Sequence, residues 1–151
     1  MRIVSSNTIN HGAILNFLQE IKGIYPNIEN WYIKKVVPEL HTDQRNIFCS
    51  FVDDKLVGLI IAKKEGIEKK ICTLRIHPEY RNRGIAKVLM NIALKWLGTD
   101  TPHMTISEGL VKQYGGIIRR YNLKLNFTFD GLYKDSVREY FYNYPYMVHH
   151  D

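Results

Sequence analysis

Hydrophobic positions along the chain recur with two periods, the alternation of strands and the three-to-four spacing of helices, and the switches between them outline the fold. Arg2 to Ser5 predicts a first strand. Thr8 or Asn10 caps the helix that follows, whose Ile14, Leu15, Phe17, Leu18 and Ile21 share one face before Gly23 and Pro26 end it. A second helical segment runs from about Ile28 to Leu40, carries Trp31, Tyr32, Val36 and Val37, and is interrupted at Pro38. Ile47 to Val52 and Leu56 to Lys63 read as strands joined through Asp53-Asp54-Lys55, a short polar hairpin connection. Glu65-Gly66 opens a turn into a further strand, Lys69 to Ile76.

Past that strand, Ile85, Val88, Leu89, Ile92, Ala93, Trp96 and Leu97 return to helical spacing, and Gly98 stops the helix. Met104 to Ser107 predicts a short strand, and Glu108 to Tyr121 a helix weakened by Gly115-Gly116, with Asn122 as its left-handed terminator. Leu125, Phe127 and Phe129 alternate with polar residues in another strand. Asp130-Gly131 marks a bend, and Val137 to Tyr144 supplies a final aromatic strand. The pattern contains no repeat, low-complexity tract or linker, so residues 1–151 read as a single domain.

The most informative stretch lies between the strand ending at Ile76 and the helix opening at Ile85. Here Arg81, Asn82, Arg83, Gly84, Ile85, Ala86 and Lys87 form a basic, glycine-containing turn running into a first helical turn. The first N–H groups of a helix have no preceding carbonyls to bond, and the helix dipole adds partial positive charge there, so this turn favours an anion. Gly84 permits a positive φ or a close ligand approach, and the small Ala86 keeps that approach open. His77, ahead of Pro78, reads as a turn residue.

Arg81-x-x-Gly84-x-Ala86, entered from a strand and followed by an apolar helix, resembles the acetyl-coenzyme A signature of the GNAT N-acetyltransferases. That signature is Gln or Arg, two residues, Gly, one residue, then Gly or Ala. The order of strands and helices resembles the GNAT fold over almost the whole chain. The resemblance implies an α/β (α+β) domain with a mixed sheet of about seven strands, about four flanking helices and two splayed central strands. Those strands would be Lys69 to Ile76 and Met104 to Ser107. It implies that residues 81–87 cradle the coenzyme's diphosphate, and that Leu74, Arg75 and Ile76 pair with the pantetheine arm as an added strand would.

Composition sets the limits around this reading. The 151 residues, 45% hydrophobic and 24% charged, suit a globular protein with a sizeable core. Leu56 to Ala62 is the longest apolar run, far too short to cross a bilayer, and the first residues lack a secretory signal, so a cytoplasmic protein without membrane contact is expected. Cys49 and Cys72 sit in strand-like runs without ligand spacing and read as buried reduced thiols, with no metal implied. A net charge of +6 draws anions: a coenzyme with several phosphates, or nucleic acid.

Acetyl transfer to an amine needs a neutral amine, donors for the developing oxyanion and a proton for the departing thiolate. Many GNAT enzymes supply that proton from a tyrosine in a Tyr-x-x-x-Gly-Phe pattern. Here Ile118-Arg119-Arg120-Tyr121-Asn122-Leu123 is the nearest match, with Ile118 at the tyrosine's place. Tyr121, and after it Tyr114, are the candidates that remain. Glu108 is a candidate base, with a helix-start residue as its alternative reading.

Trp31, Tyr32 and Tyr133 are expected to line the acceptor site, although aromatic residues in such segments also pack cores or homodimer interfaces. The leading reading is direct acetyl transfer from acetyl-CoA to a primary amine. An acetyltransferase acting on aminoacyl-tRNA and a catalytically degenerate acetyl-CoA-binding module are its alternatives.

Overall fold

The computed structural model describes residues 1–5, 9–19 and 25–145. Seven strands form one sheet in the order β1-β2-β3-β4-β5-β7-β6. They are β1 (Arg2–Ser5), β2 (Arg45–Val52), β3 (Lys55–Glu65), β4 (Glu68–Ile76), β5 (His103–Ser107), β6 (Leu125–Asp130) and β7 (Arg138–Tyr142). All neighbours are antiparallel except β4 and β5, which run parallel because the helix α4 (Ile85–Leu97) crosses between them. The mixed sheet with helices on both faces is the architecture the sequence implies.

Two apolar layers sandwich the sheet. On one face Leu89, Met90, Ala93 and Leu97 of α4 pack on Val57, Ile60, Ala62 and Ile71. On the other, Ile14, Phe17 and Leu18 of α1 (His11–Leu18) and Ile28 of α2 (Ile28–Trp31) cover Ile47, Leu59 and Ile61. β3 is therefore buried on both sides, which is why its sequence is a continuous apolar run rather than an alternation.

Local chemistry sets most of the boundaries. The Asn10 side chain accepts the N–H of Ala13 at 3.1 Å and caps α1; Thr8, Ile21 and Gly23 lie outside the described residues. Asp53 and Asp54 both take positive φ, 48° and 62°, as a two-residue hairpin turn between β2 and β3 requires. Gly98 closes α4 at φ 72°.

Three expected elements are corrected. Pro38 does not interrupt its helix, because a π turn (Tyr32–Val36) widens the backbone just ahead of it and α3 (Val37–Glu39) continues through the proline. The predicted helix from Glu108 to Tyr121 is a 3-10 turn (Glu108–Leu110), a hydrogen-bonded turn over residues 111–114, and a short α5 (Gly115–Arg120), since two consecutive glycines make a poor helix interior. Asn122 does terminate α5, at φ 51°. The last strand ends at Tyr142, because Asn143 turns the chain at φ 63°.

Candidate functional site

The turn into α4 has the backbone that an anion site needs. Asn82 and Gly84 take φ 62° and 82°. The first helical bond runs from Val88 N–H to the Gly84 carbonyl at 3.1 Å, which leaves the N–H groups of Ile85, Ala86 and Lys87 ahead of the helical ladder. A Cβ built on Gly84 would meet no protein atom within 4 Å, so the space above the turn is open and only glycine leaves it unfilled and unstrained. The Arg83 guanidinium lies 5.0 Å from the centre of the Tyr80 ring, and His77 Nδ1 accepts the N–H of Glu79, bracing the approach to the turn. A diphosphate fits this arrangement: open space, aligned donors and positive side chains.

Next to the turn the sheet splits. β4 pairs with β5 only at Lys70 with His103 and at Ile71 with Met104. The break coincides with a bulge: Ile61 pairs with Thr73 and Ala62 with Ile71, so Cys72 is an extra residue in β4. A bulge bends its strand, which carries the rest of β4 away from β5. Leu74 and Ile76 put their side chains into the α4-side core, and buried Arg75 donates from Nη1 to the Ile76 carbonyl at 3.1 Å.

Tyr114, at the start of α5, spans the gap, and its hydroxyl donates to the Leu74 carbonyl. Burial pushes the Tyr114 phenol up, with Arg75 and Arg81 opposing, so it remains a proton donor through neutral pH.

Two cavities meet at the split. One, of about 290 Å³, opens beside α2 and is walled by Tyr25, Ile28, Trp31, Lys70, Leu132 and Tyr133. The other, of about 40 Å³, lies between the diverging strands against Leu74, Met104, Ile106, Leu110 and Tyr114. Tyr25, Cys72, Thr73 and Thr105 line both. Those four residues mark the junction at which a molecule in the wide cleft would meet one threaded through the split.

Behind the junction sits a carboxylate that sequence reasoning passed over. Glu139 on β7 is 3% exposed and its Oε2 accepts the Tyr25 hydroxyl at 3.3 Å. Burial pushes its carboxyl up to about 7, against the hydrogen bonds from Thr105 and Tyr25 and the charge of Lys70. The available signal was a lone acidic residue at the head of an aromatic strand, two positions from Phe141 and thus on that residue's buried face.

The other predicted site residues fall into place unequally. Trp31 and Tyr133 line the cleft, and Tyr133 meets Tyr25 edge-on at 5.4 Å. Tyr32 does not: it is fully buried in the second core with its hydroxyl 2.7 Å from His11 Nδ1, because it shares the buried face with Ile28 and Val36, each four residues away. Tyr121 points at the second turn of α4, its hydroxyl 2.7 Å from Asn91 Oδ1 and 3.2 Å from the Lys87 carbonyl, away from the split. Glu108 accepts the backbone N–H of Arg138 at 3.2 Å and ties the 3-10 turn to β7. The structure thus brings Tyr114, not Tyr121 or Glu108, to the gap.

The sequence model of the acetyltransferase (GNAT) family matches residues 14–103, a span that includes β2 to β4, the turn and α4. The chain belongs to the GNAT acetyltransferase family. No curated protein matches it. Among solved structures, an aminoglycoside 6'-N-acetyltransferase complexed with coenzyme A superposes with a TM-score of 0.69 at 15% identity, covering 98% of this chain and 100% of that one. The PaiA N-acetyltransferase of Thermoplasma acidophilum, in complex with coenzyme A, gives 0.66 at 19% identity over 92% and 98%. Ard1 of Thermoplasma volcanium gives 0.67 at 14% identity over 94% and 96%. At such identities the likeness is one of fold, and this chain has the full set of GNAT strands, including the split pair. Among the described residues no helix is long and apolar enough to cross a membrane.

Proposed function

We propose that this GNAT protein is an acetyl-CoA-dependent N-acetyltransferase, a single domain that moves acetyl directly to a primary amine. The observation that carries the reading is the junction: Tyr25, Cys72, Thr73 and Thr105 border both the wide cleft and the gap between β4 and β5. The diphosphate would lie on the N–H groups from Gly84 to Lys87, with Arg81, Asn82 and Arg83 around it, and the pantetheine would run along the open edge of β4 at Leu74 to Ile76. The thioester then reaches the junction from one side and the amine from the other.

Tyr114 is the group suited to protonate the departing thiolate. It lies in the split and keeps its proton. When the pantetheine pairs with β4, the Tyr114 hydroxyl is released from the Leu74 carbonyl and can serve the sulfur. Holding donor and acceptor at one point supplies much of the rate by itself.

The cleft favours an amine with an apolar body. Tyr25, Ile28, Trp31, Leu132 and Tyr133 form its walls, a buried lysine lies beneath, and none of the described lining residues is acidic. A polycation would find no counter-charge there. The basic clusters give little support to an RNA-linked acceptor, since Lys63 pairs with Glu68 at 3.3 Å and Lys64 caps the Trp96 carbonyl at 3.1 Å.

Release of thiol from acetyl-CoA in the presence of an amine panel, with the product mass determined, tests the reading. Acetylated product from at least one apolar primary amine is expected; binding of acetyl-CoA without turnover on any amine would favour a sensing module instead.

A further inference from the structure

The acceptor amine must also lose a proton before it can attack. Most alkylamines are protonated at neutral pH, and an ammonium cannot attack a thioester. Glu108, held by the Arg138 N–H, is not placed to take that proton.

Glu139 is placed differently. It is the buried carboxylate behind the junction; the Tyr25 hydroxyl donates to it, Thr105 lies beside it two positions from its β5 partner Ser107, and both Tyr25 and Thr105 line both cavities. Packing alone does not explain an acidic residue there, because a buried carboxylate costs free energy that an apolar side chain would not. Phe141, on the same face of β7, shows what such a position otherwise holds.

Resting on the transferase reading, we infer that Glu139, through the hydroxyls of Thr105 and Tyr25, forms a proton relay that neutralises the acceptor's ammonium group at the junction. An N–H bond of the ammonium breaks and its electron pair stays on nitrogen. The proton bonds to a hydroxyl oxygen as that hydroxyl's own proton passes to the Glu139 carboxylate. The neutral amine then forms the new C–N bond, the C–S bond breaks, and the sulfur takes the Tyr114 proton. One of the two protons on the attacking nitrogen and the proton on Glu139 leave to solvent, the product amide keeps a single N–H, and Tyr114 is reprotonated from solvent.

The charged and titratable groups around the carboxyl are Lys70 on β4, Tyr25, and, beyond Tyr25, Tyr133 and Tyr114. Burial and the Glu139 charge push the Tyr25 phenol upward, so its hydroxyl stays a donor. A carboxyl that titrates at about 7 both accepts and returns a proton near neutrality. Glu139 acts through the hydroxyls and is a positioning residue for the proton.

Amine basicity supplies the test. Alkylamines (phenethylamine, leucinamide, cadaverine) need deprotonation at neutral pH; arylamines (aniline, p-anisidine) arrive neutral. In Glu139→Gln, kcat/KM for the best alkylamine is expected to fall about 100-fold, with a much smaller change for the best arylamine. The acid limb of the alkylamine pH profile near 7 should vanish, and Glu139→Asp should restore part of the rate.

Calorimetry with acetyl-CoA should give unchanged affinity in both Glu139 variants. Thr105→Val, which keeps the carboxylate, should show the same selective loss even if Glu139→Gln folds poorly. Equal losses on both amine classes, or none on alkylamines, would overturn the relay alone. A wild-type protein that acetylates neither class would overturn the transferase reading and the relay with it.

Discussion

The Tyr114 hydroxyl donates to the main-chain carbonyl of Leu74 across the gap between β4 and β5. A side chain from the α5 end of the chain thus occupies the hydrogen-bonding edge that a neighbouring strand would otherwise use. Pairing between the two strands has already stopped at Ile71 with Met104, so the gap is held open by the bulge at Cys72 and bridged by one phenol.

If that phenol protonates the thiolate, Tyr114→Phe should lower kcat by roughly 100-fold while changing acetyl-CoA affinity little. The wild-type rate should show no alkaline loss just above neutrality, because burial holds the phenol protonated. Steady-state kinetics with calorimetry on the same samples checks both expectations. Tyr121→Phe is the control: it removes a contact to Asn91 on α4 and should cost about 1 kcal/mol of stability with kcat retained.

The cradle makes a sharper demand on Gly84. At φ 82° any L-residue is strained by about 1 kcal/mol or more, and its side chain would project into the open space assigned to the diphosphate. Gly84→Asp should abolish acetyl-CoA binding through like charge, and Gly84→Val through bulk. Arg83→Ala should weaken it by less than about tenfold, since an exposed cation is screened by solvent. Calorimetric titration measures all three.

Cys72 lies at the junction, yet direct transfer does not use it. Its Sγ accepts a hydrogen bond from buried Arg45 Nη1 at 3.2 Å, a contact that fixes the bulge. Cys72→Ser should therefore keep kcat within a few-fold, and mass spectrometry of the enzyme mixed with acetyl-CoA alone should show no acetylated protein. Cys49 is held protonated by burial, which pushes its thiol up to about 12, and should be inert as well.

Glu139 also predicts a pH dependence of stability. Its folded-state carboxyl is raised from the ordinary 4.5 to about 7, so its protonated form favours the folded state. That contribution is fully present below 4.5 and is lost as pH rises through about 7. His103, held neutral by burial, acts in the opposite sense, so the comparison must be between variants. Thermal unfolding followed across this window should show Glu139→Gln gaining stability relative to wild type as pH increases.

Much of this was legible in the sequence, and for identifiable reasons. The turn from Arg81 to Lys87 is a local construction, a positive-φ glycine with the residues before it and the first helical turn after it, so its free backbone donors are legible directly. The split strand pair is legible only through the family resemblance, and the extra residue at Cys72, where pairing stops, has no signature in the strand around it. Helical spacing admits both Tyr114 and Tyr121 to one face; the structure separates them because Gly115-Gly116 shortens α5 and leaves Tyr114 outside the helix, turned toward Leu74. The burial of Tyr32 is legible in its four-residue spacing from Ile28 and Val36, a pattern that outweighs its aromatic character as a sign of a cleft residue. Glu139 depends on contacts from Tyr25, which is 114 residues away, and only the folded chain brings them together.

A crystal structure with acetyl-CoA bound tests the central claim most directly. That structure should show the diphosphate on the N–H groups from Gly84 to Lys87, the pantetheine paired with β4 at Leu74 to Ile76, and the thioester at the junction of Tyr25, Cys72, Thr73 and Thr105 with the Tyr114 hydroxyl in hydrogen-bond reach of the sulfur. A coenzyme seated elsewhere, such as the polar depression of Lys69, His103 and Lys124 at the opposite end of β4 and β5, or a sulfur remote from Tyr114, would contradict it.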